Sequence, residues 1–507
     1  MKRFKSVSLM LLTFVMATGL ILTGCGGGGT TAPKAQPKKD TITIAIPNEP
    51  STMDVQFADD GNMRAVTDNV VQGLLLMDGK TLKPIPGLAT EYSQVNSTTW
   101  DFKLRKGVTF QNGNPFTADD VVYSIKRIID PNFKSNISGD FATIKDVQKV
   151  GDYEVNIITN GPDPILPTRL TLLEILNKKA MEADSKGIAT MVVGTGPYKV
   201  VSWSKGQNIV LQAYDGYWGN KPAIKNVKYR FIEEDATRAA ALKNGEVDFA
   251  TTMLPEYVDS LPQVKTAEGL EFSLVRMNAI SGVMKDPKIR QAASYAINWD
   301  AIAKSLYQGY ATIGQGQVFK STYTGYDPNL KAYPFDLNKA KQLLAEAGYK
   351  GQPIEFVGEQ GRWLKDGEQI QAIAQMLKDA GFNVNVKMLA FSKWLEVLFD
   401  RSKAPDMIFT FHSNDIFDAD RTYSTYVLST GPGSSYPNTL DQEIIQARTE
   451  MDTQKRTQLY NDIAQKLYDD PAWIDGVNIR DIDGMAKDVV YQPREDGRLA
   501  VFEMSFK

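Results

Sequence analysis

The sequence predicts an α/β fold, and three observations predict it. Between Asp286 and Phe411, apolar stripes of helical period alternate with short runs rich in Val, Ile and Phe. Upstream, several six-residue segments alternate apolar and polar residues at period two, as half-buried strands do. The composition is globular: of 507 residues, 42% are hydrophobic and 10% aromatic, so a sizeable core can form. Strands and helices in this alternation imply helices covering a sheet.

The elements follow in order. Thr41 to Ile46 (TITIAI) reads as a strand that Pro47 and Pro50 end. Thr99 to Leu104 (TWDFKL) alternates in the same way. Thr117-Ala-Asp-Asp120 reads as a capping box with Asp in the Glu position. Val121, Val122, Ile125, Ile128 and Ile129 then share one helical face. Val147 to Ile158 holds a turn, Gly151-Asp152, between two strand-like runs, and Asn208 to Tyr214 alternates again. Asp286-Pro287 is an N-cap followed by Pro at the first helical position, and Ile289, Ala292, Ala293, Ala296 and Ile297 form the stripe behind it. Asp336 caps a second helix, with Leu337, Ala340, Leu343, Leu344 and Ala347 inside and Gly348 as the stop. Glu368 to Ala380 is a third, turning Ile370, Ile373, Ala374 and Leu377 inward and ending at Gly381. Strands at Ile354 to Val357, Val384 to Leu389 and Met407 to Phe411 separate these helices.

The N-terminus carries a different kind of signal. Lys2, Arg3 and Lys5 precede an apolar run from Val7 to Leu22, which ends in Leu22-Thr-Gly-Cys25. A basic start, a short apolar stretch and a small-residue cleavage site predict a signal peptide over residues 1–24. The run is shorter than the roughly 20 apolar residues of a membrane span. Its ending resembles the lipobox of bacterial lipoproteins, which implies lipidation of Cys25. A plain signal peptide with an incidental cysteine is the alternative. Cys25 is the only cysteine of the chain, and a lone thiol in a secreted protein calls for an explanation. Residues 25–40 are rich in Gly, Thr, Pro and Lys and read as a flexible tether.

About 465 residues remain, enough for two or three domains. The net charge of −3 leaves no basic footprint for nucleic acid. The single histidine restricts any Ser-His-Asp triad to His412 and excludes a histidine metal cage. No dinucleotide or Walker-type glycine loop follows a strand. Carboxylate-pair hydrolysis has no fixed spacing and stays open. The inventory favours a binding protein over an enzyme, with no resident metal and no cofactor.

Several segments together resemble the bacterial extracellular solute-binding proteins of family 5, the peptide- and nickel-type receptors of ABC importers. They are Leu82-Lys-Pro-Ile-Pro-Gly-Leu-Ala89, Trp100-Asp-Phe-Lys-Leu-Arg-Lys-Gly107-Val-Thr-Phe-Gln-Asn-Gly113 and Phe116-Thr-Ala-Asp-Asp-Val-Val122. Gly194-Thr-Gly-Pro-Tyr198, Tyr214-Asp-Gly-Tyr-Trp218, Asp286-Pro-Lys-Ile-Arg-Gln-Ala292 and Ala296-Ile-Asn-Trp-Asp300 follow in order. Each is short; their number, order and spacing carry the likeness. Physically they read as caps, turns and packed aromatics, and Gly194-Thr-Gly-Pro-Tyr198 as Gly and Pro at demanding backbone positions.

The resemblance implies a two-lobed, periplasmic-binding-protein-like fold (class II, cluster C type) with an extra subdomain in the first lobe. Lobe I would comprise 41–71, 187–272 and 481–507, the subdomain 72–186, and lobe II 273–480. Hinge crossings would lie near Val275–Asn278 and Asn478–Ile482. The function implied is capture of a small peptide or similar zwitterion and delivery to an ABC permease and, through it, ATPase subunits. Opine, glutathione-like, oligosaccharide and nickel-chelate ligands are the alternatives, as is a sensing lipoprotein without transport. The protein would be a monomer outside the cytoplasm, held by its lipid on the outer face of the cell membrane or in the periplasm.

The resemblance also suggests where a ligand would sit. Gly358 to Asp366 follows a strand and precedes a helix, where ligands bind in open α/β sheets. Arg362 matches an Arg that binds a ligand carboxylate in some relatives, a task that suits the guanidinium fork. The alternative is a solvated surface Arg beside a core Trp363. Phe411-His-Ser-Asn-Asp-Ile-Phe-Asp-Ala-Asp420 is the second segment, contributing Phe411, His412, Asn414 and Asp415. Asp415 matches the acid that meets an α-amino group in peptide-binding members. Asp418 and Asp420 read as turn or cap residues, and three such close acids need a cation among them. Phe391 and Trp394 match an aromatic position near the ligand, with core packing the alternative. Asn48, Asp60 and Asn62 would face the cleft from the first lobe. Arg169-Leu-Thr-Leu-Leu-Glu-Ile175 lacks the pattern of nickel-type members.

Overall fold

Thr41–Ile46 forms a strand, as its alternation predicts, and it lies near the middle of an eleven-stranded sheet. The structure is a computed structural model describing residues 39–58 and 60–507. The expected signal peptide, Cys25 and the expected tether up to residue 38 lie outside the described residues. One edge half of the sheet holds Asn383–Met388, Pro353–Gly358 and Met407–Ser413, in that order. The other holds Phe249–Ala250, Thr41–Ile46, Asn226–Phe231, Asn208–Ala213 and Tyr198–Ser204. Two long antiparallel strands, Gln263–Met277 and Trp473–Met485, join the halves.

The long strands are absent from the sequence reading. Gly269 interrupts the first of them, and the structure gives the reason for glycine there. A Cβ on Gly269 would lie 2.2 Å from the carbonyl oxygen of Ile479, so only glycine lets the two chains approach. Their pairing loses register between Glu268 and Phe272 and again before Leu274. Val275 and Arg276 pair regularly with Ile474 and Trp473, so the irregular stretch precedes Val275–Asn278.

The helix signals are realised as local chemistry. The Thr117 N–H donates to the Asp120 carboxylate at 2.9 Å, and Ala118–Ile129 buries Val121, Ile125 and Ile128. Asp286 accepts from the Lys288 N–H and Pro287 opens the helix Pro287–Ala296. Asp336 accepts from Lys339 at the start of Leu337–Glu346. The third helix is Asp366–Asp379, beginning two residues before Glu368 because Asp366 anchors the preceding loop.

Separate apolar cores lie on either side of the long strands. One gathers Ile42, Ile44, Val66, Tyr198 and Phe249 with Leu499 and Val501 near the C-terminus. A second gathers Phe102, Val121, Phe141, Leu166 and Leu170 around the sheet Ala89–Asn96, Thr99–Leu104, Glu154–Thr159, Ile144–Gly151. A third packs the helices Pro287–Ala296 and Asp366–Asp379 on the 353–413 strands. A fourth contains Phe272, Phe319, Phe417, Ala419 and Tyr423, and Met77 and Leu82 enter it. The Gly194–Tyr198 motif is a packing junction: a Cβ on Gly194 would lie 2.2 Å from the Val70 oxygen. The Gln111 amide bridges that junction to Val70, Gly194 and Tyr198.

Candidate functional site: the cleft over the long strands

A cleft of about 600 Å³ opens over the irregular stretch of the long strands. Asn48, Asn62 and Arg64 line one wall, and Arg362, Trp363, Ser413 and Asp415 the other. Gly269 to Glu271 and Ile479 to Asp483 contribute from the long strands, and Arg494 and Arg498 from the C-terminal segment.

The Arg362 loop is built by one carboxylate. Asp366 accepts from the N–H groups of Gly361 (3.0 Å), Arg362 (3.1 Å) and Trp363 (2.9 Å). Gly361 (φ 93°) and Lys365 (φ 58°) take left-handed backbone to permit this wrap. The Arg362 guanidinium lies 5.0 Å from the Trp363 ring and 4.8 Å from the Phe391 ring, a cation–π arrangement. Trp363 stacks on Phe411 at 5.0 Å and donates its indole N–H to Glu271 at 3.1 Å. Burial pushes the Glu271 carboxyl up to about 7.

Asp415 pairs with Arg421, and with Arg64 at 3.7 Å. Burial raises its pKa, but these arginines outweigh burial and hold the carboxyl below the usual range. Asp418 caps the helix Ala419–Tyr426 and receives Arg456 at 2.7 Å. Asp420 is shared by Arg448 (3.0 Å) and Arg169 (3.3 Å). The cations that three close acids demand are therefore the protein's own.

Of the residues expected at a ligand, Arg362, Trp363, Asp415, Asn48 and Asn62 line the cleft. Phe391, 41% exposed, covers Arg362 from outside it. Trp394 is buried and donates its indole N–H to the Phe409 carbonyl, and Phe411 lies in the core beneath Trp363. Asn414 is buried and holds the Asp418 carbonyl at 2.8 Å. Asp60 caps the helix Gly61–Thr67 through the Met63 N–H.

His412 is also buried, 2.7 Å from the Thr422 hydroxyl and edge-on to Tyr426. Burial and the nearby Arg421 push its pKa down to about 3. Its sole imidazole resonance is expected to stay constant in NMR from pH 8 to about pH 5, whereas an accessible histidine titrates near 6.5. A midpoint above 6 would place His412 in contact with solvent.

Residues that sequence reasoning passed over complete the cleft. Arg480 donates to the Thr266 hydroxyl at 3.3 Å. Desolvation between the cleft walls pushes the Asp481 carboxyl, itself exposed to the cleft, up to about 6, and burial raises Asp483 well above its ordinary value. Their signal was present in Arg480-Asp-Ile-Asp483: charged residues inside a strand mark a place where something polar approaches.

Comparison with known proteins shows the family and the fold. The family model described as "Bacterial extracellular solute-binding proteins, family 5 Middle" matches residues 83–434. The glutathione-binding protein GsiB of Pectobacterium atrosepticum is 28% identical over 470 residues, covering 88% of this chain and 90% of the relative. The oligopeptide-binding protein AppA of Bacillus subtilis is 27% identical over 474 residues, covering 82% and 84%. Among solved structures, the periplasmic binding protein DppA from Helicobacter pylori, in complex with the peptide STSA, superposes with a TM-score of 0.76. Its identity is 26%, and the match covers 92% of this chain and 98% of that one.

Proposed function

The chain belongs to the bacterial extracellular solute-binding proteins of family 5, and from that premise we propose that it captures a small peptide or similar zwitterion in the cleft. Lobe closure would then present the solute to an ABC permease. The observation that carries this reading is the cleft's charge. Arg362 stacks on two rings and Arg480 bonds a hydroxyl, and neither forms an ion pair among the described residues. Among the described residues Glu271 accepts a side-chain hydrogen bond only from an indole N–H, with Arg362 and Asp481 nearby. Charges of both signs that face the cleft without an ion-pair partner among the described residues match a ligand carrying both. Glutathione, the ligand in GsiB's name, and the peptides named for AppA and DppA are all of this class.

The hinge in this reading is the stretch where the long strands lose register, Gly269–Glu271 against Ile479–Arg480. A few altered dihedrals there swing the cores on either side. Cys25 anchors the chain by lipid, and the tether keeps the receptor at high effective concentration beside its permease. The carrying experiment is a thermal-shift screen of di- and tripeptides, glutathione, opines and nickel–histidine. Peptides or glutathione are expected to raise the melting temperature in proportion to the logarithm of concentration. Stabilisation by opines or nickel–histidine alone would overturn the peptide assignment. Arg362→Ala is expected to weaken a carboxylate-bearing ligand by roughly 2–4 kcal/mol in calorimetry. Unchanged affinity would remove Arg362 from the site.

A further inference from the structure

Among the ion pairs that cross between the apolar cores, three gather around the segment from Asp415 to Arg421. Arg64 lies on Gly61–Thr67, whose Ala65 and Val66 belong to the core of Thr41–Ile46. Asp140, Asp163 and Arg169 flank Phe141, Leu166 and Leu170 of the 89–175 core. Asp415, Asp420 and Arg421 flank Phe417, Ala419 and Tyr423 of a third. Arg64 meets Asp415 at 3.7 Å, Arg421 meets Asp140 at 3.6 Å, and Arg169 meets Asp420 at 3.3 Å. Arg169 also donates to the Asp140 carbonyl at 3.1 Å. Arg169, Asp415 and Asp420 are 8%, 6% and 3% exposed.

We propose that these three pairs latch the ligand-free protein closed, so that it samples opening rather than resting open. Each latch is reversible because its buried members keep partners within their own bodies. Arg169 keeps Asp163 at 3.3 Å, Asp420 keeps Arg448 at 3.0 Å, and Asp415 and Arg421 keep each other. Opening therefore strands no buried charge, which is what makes breaking a buried pair severe. It does forfeit the cross-body partner of each group, so closure is favoured in the absence of any solute. Asp415 also lines the cleft, so a ligand cation arriving there competes with Arg64 for the same carboxylate. The latch rests on the hinge reading above but on no particular ligand.

The test is a distance distribution between spin labels on the full-length chain carrying Cys25→Ser, in detergent and without added solute. Labels go to Lys145→Cys and Gln446→Cys, exposed positions on Ile144–Gly151 and Asp441–Thr449. One dominant short distance is expected. Arg169→Gln is expected to raise the ratio of long- to short-distance populations on the order of tenfold. Arg64→Gln, which of the three pairs removes only that with Asp415, is expected to raise it too should Arg169→Gln fold poorly. A variant lacking all three pairs (Arg64→Gln, Arg169→Gln, Asp140→Asn) is expected to open further than either single variant. Two populations in the parent chain, in proportions none of these variants changes, would mean that the lobes move and the latch is wrong. A single narrow distance in every variant would overturn the hinge reading with it.

Discussion

Arg456→Ala is expected to cost the fold about 3–5 kcal/mol, measured as the free energy of urea unfolding. Arg456 and Asp418 are each 2% exposed and form a two-pronged pair at the start of Ala419–Tyr426. The same guanidinium donates to the Ala447 carbonyl at 3.0 Å and the Tyr460 hydroxyl at 2.9 Å. Alanine thus strands a buried carboxylate, a carbonyl and a hydroxyl at once. Arg456→Met keeps most of the volume and should recover little, because the loss is in the unpaired acid rather than in packing. A loss below 1 kcal/mol would mean that water reaches Asp418. Because Asp418 adjoins Asp415, the substitution should also loosen the cleft wall that carries the latch.

Trp394→Ala is expected to destabilise by a similar amount, about 3–5 kcal/mol, with Trp394→Phe retaining part of the stability. Trp394 is buried on the helix Phe391–Phe399. It meets Trp363 edge-on at 5.6 Å, stacks with Phe391 at 5.9 Å and donates to the Phe409 carbonyl at 3.2 Å. Removing it opens a cavity beneath the two rings that hold Arg362. Affinity should fall only as far as that platform shifts. A large loss of affinity with unchanged stability would instead make Trp394 a ligand contact.

Much of the scaffold was legible because caps and turns are local. Asp286, Asp336 and Asp120 sit where their side chains satisfy the first N–H groups of a helix, and any six-residue window shows it. The long strands were not legible, because Gly269 and its neighbours break the alternation for the sake of a close approach to Ile479. The site was legible as loops but not as faces. Met407 to His412 is buried on both sides, so alternation says nothing about which side chains meet the cleft. His412 and Asn414 consequently point into packing, while Ser413 and Asp415 reach the opening. The acids at 415, 418 and 420 announced a need for cations. Their partners, Arg64, Arg169, Arg421, Arg448 and Arg456, are scattered along the chain, and only the fold assembles them.

Native mass spectrometry of the protein purified gently from its own cells tests the central claim, that the cleft is a solute site. The expected spectrum contains one noncovalent small-molecule adduct per chain, lost on collisional activation and diminished in Arg362→Ala. A bare chain mass in both proteins, persisting after incubation with peptides, glutathione, opines and nickel–histidine, would contradict it.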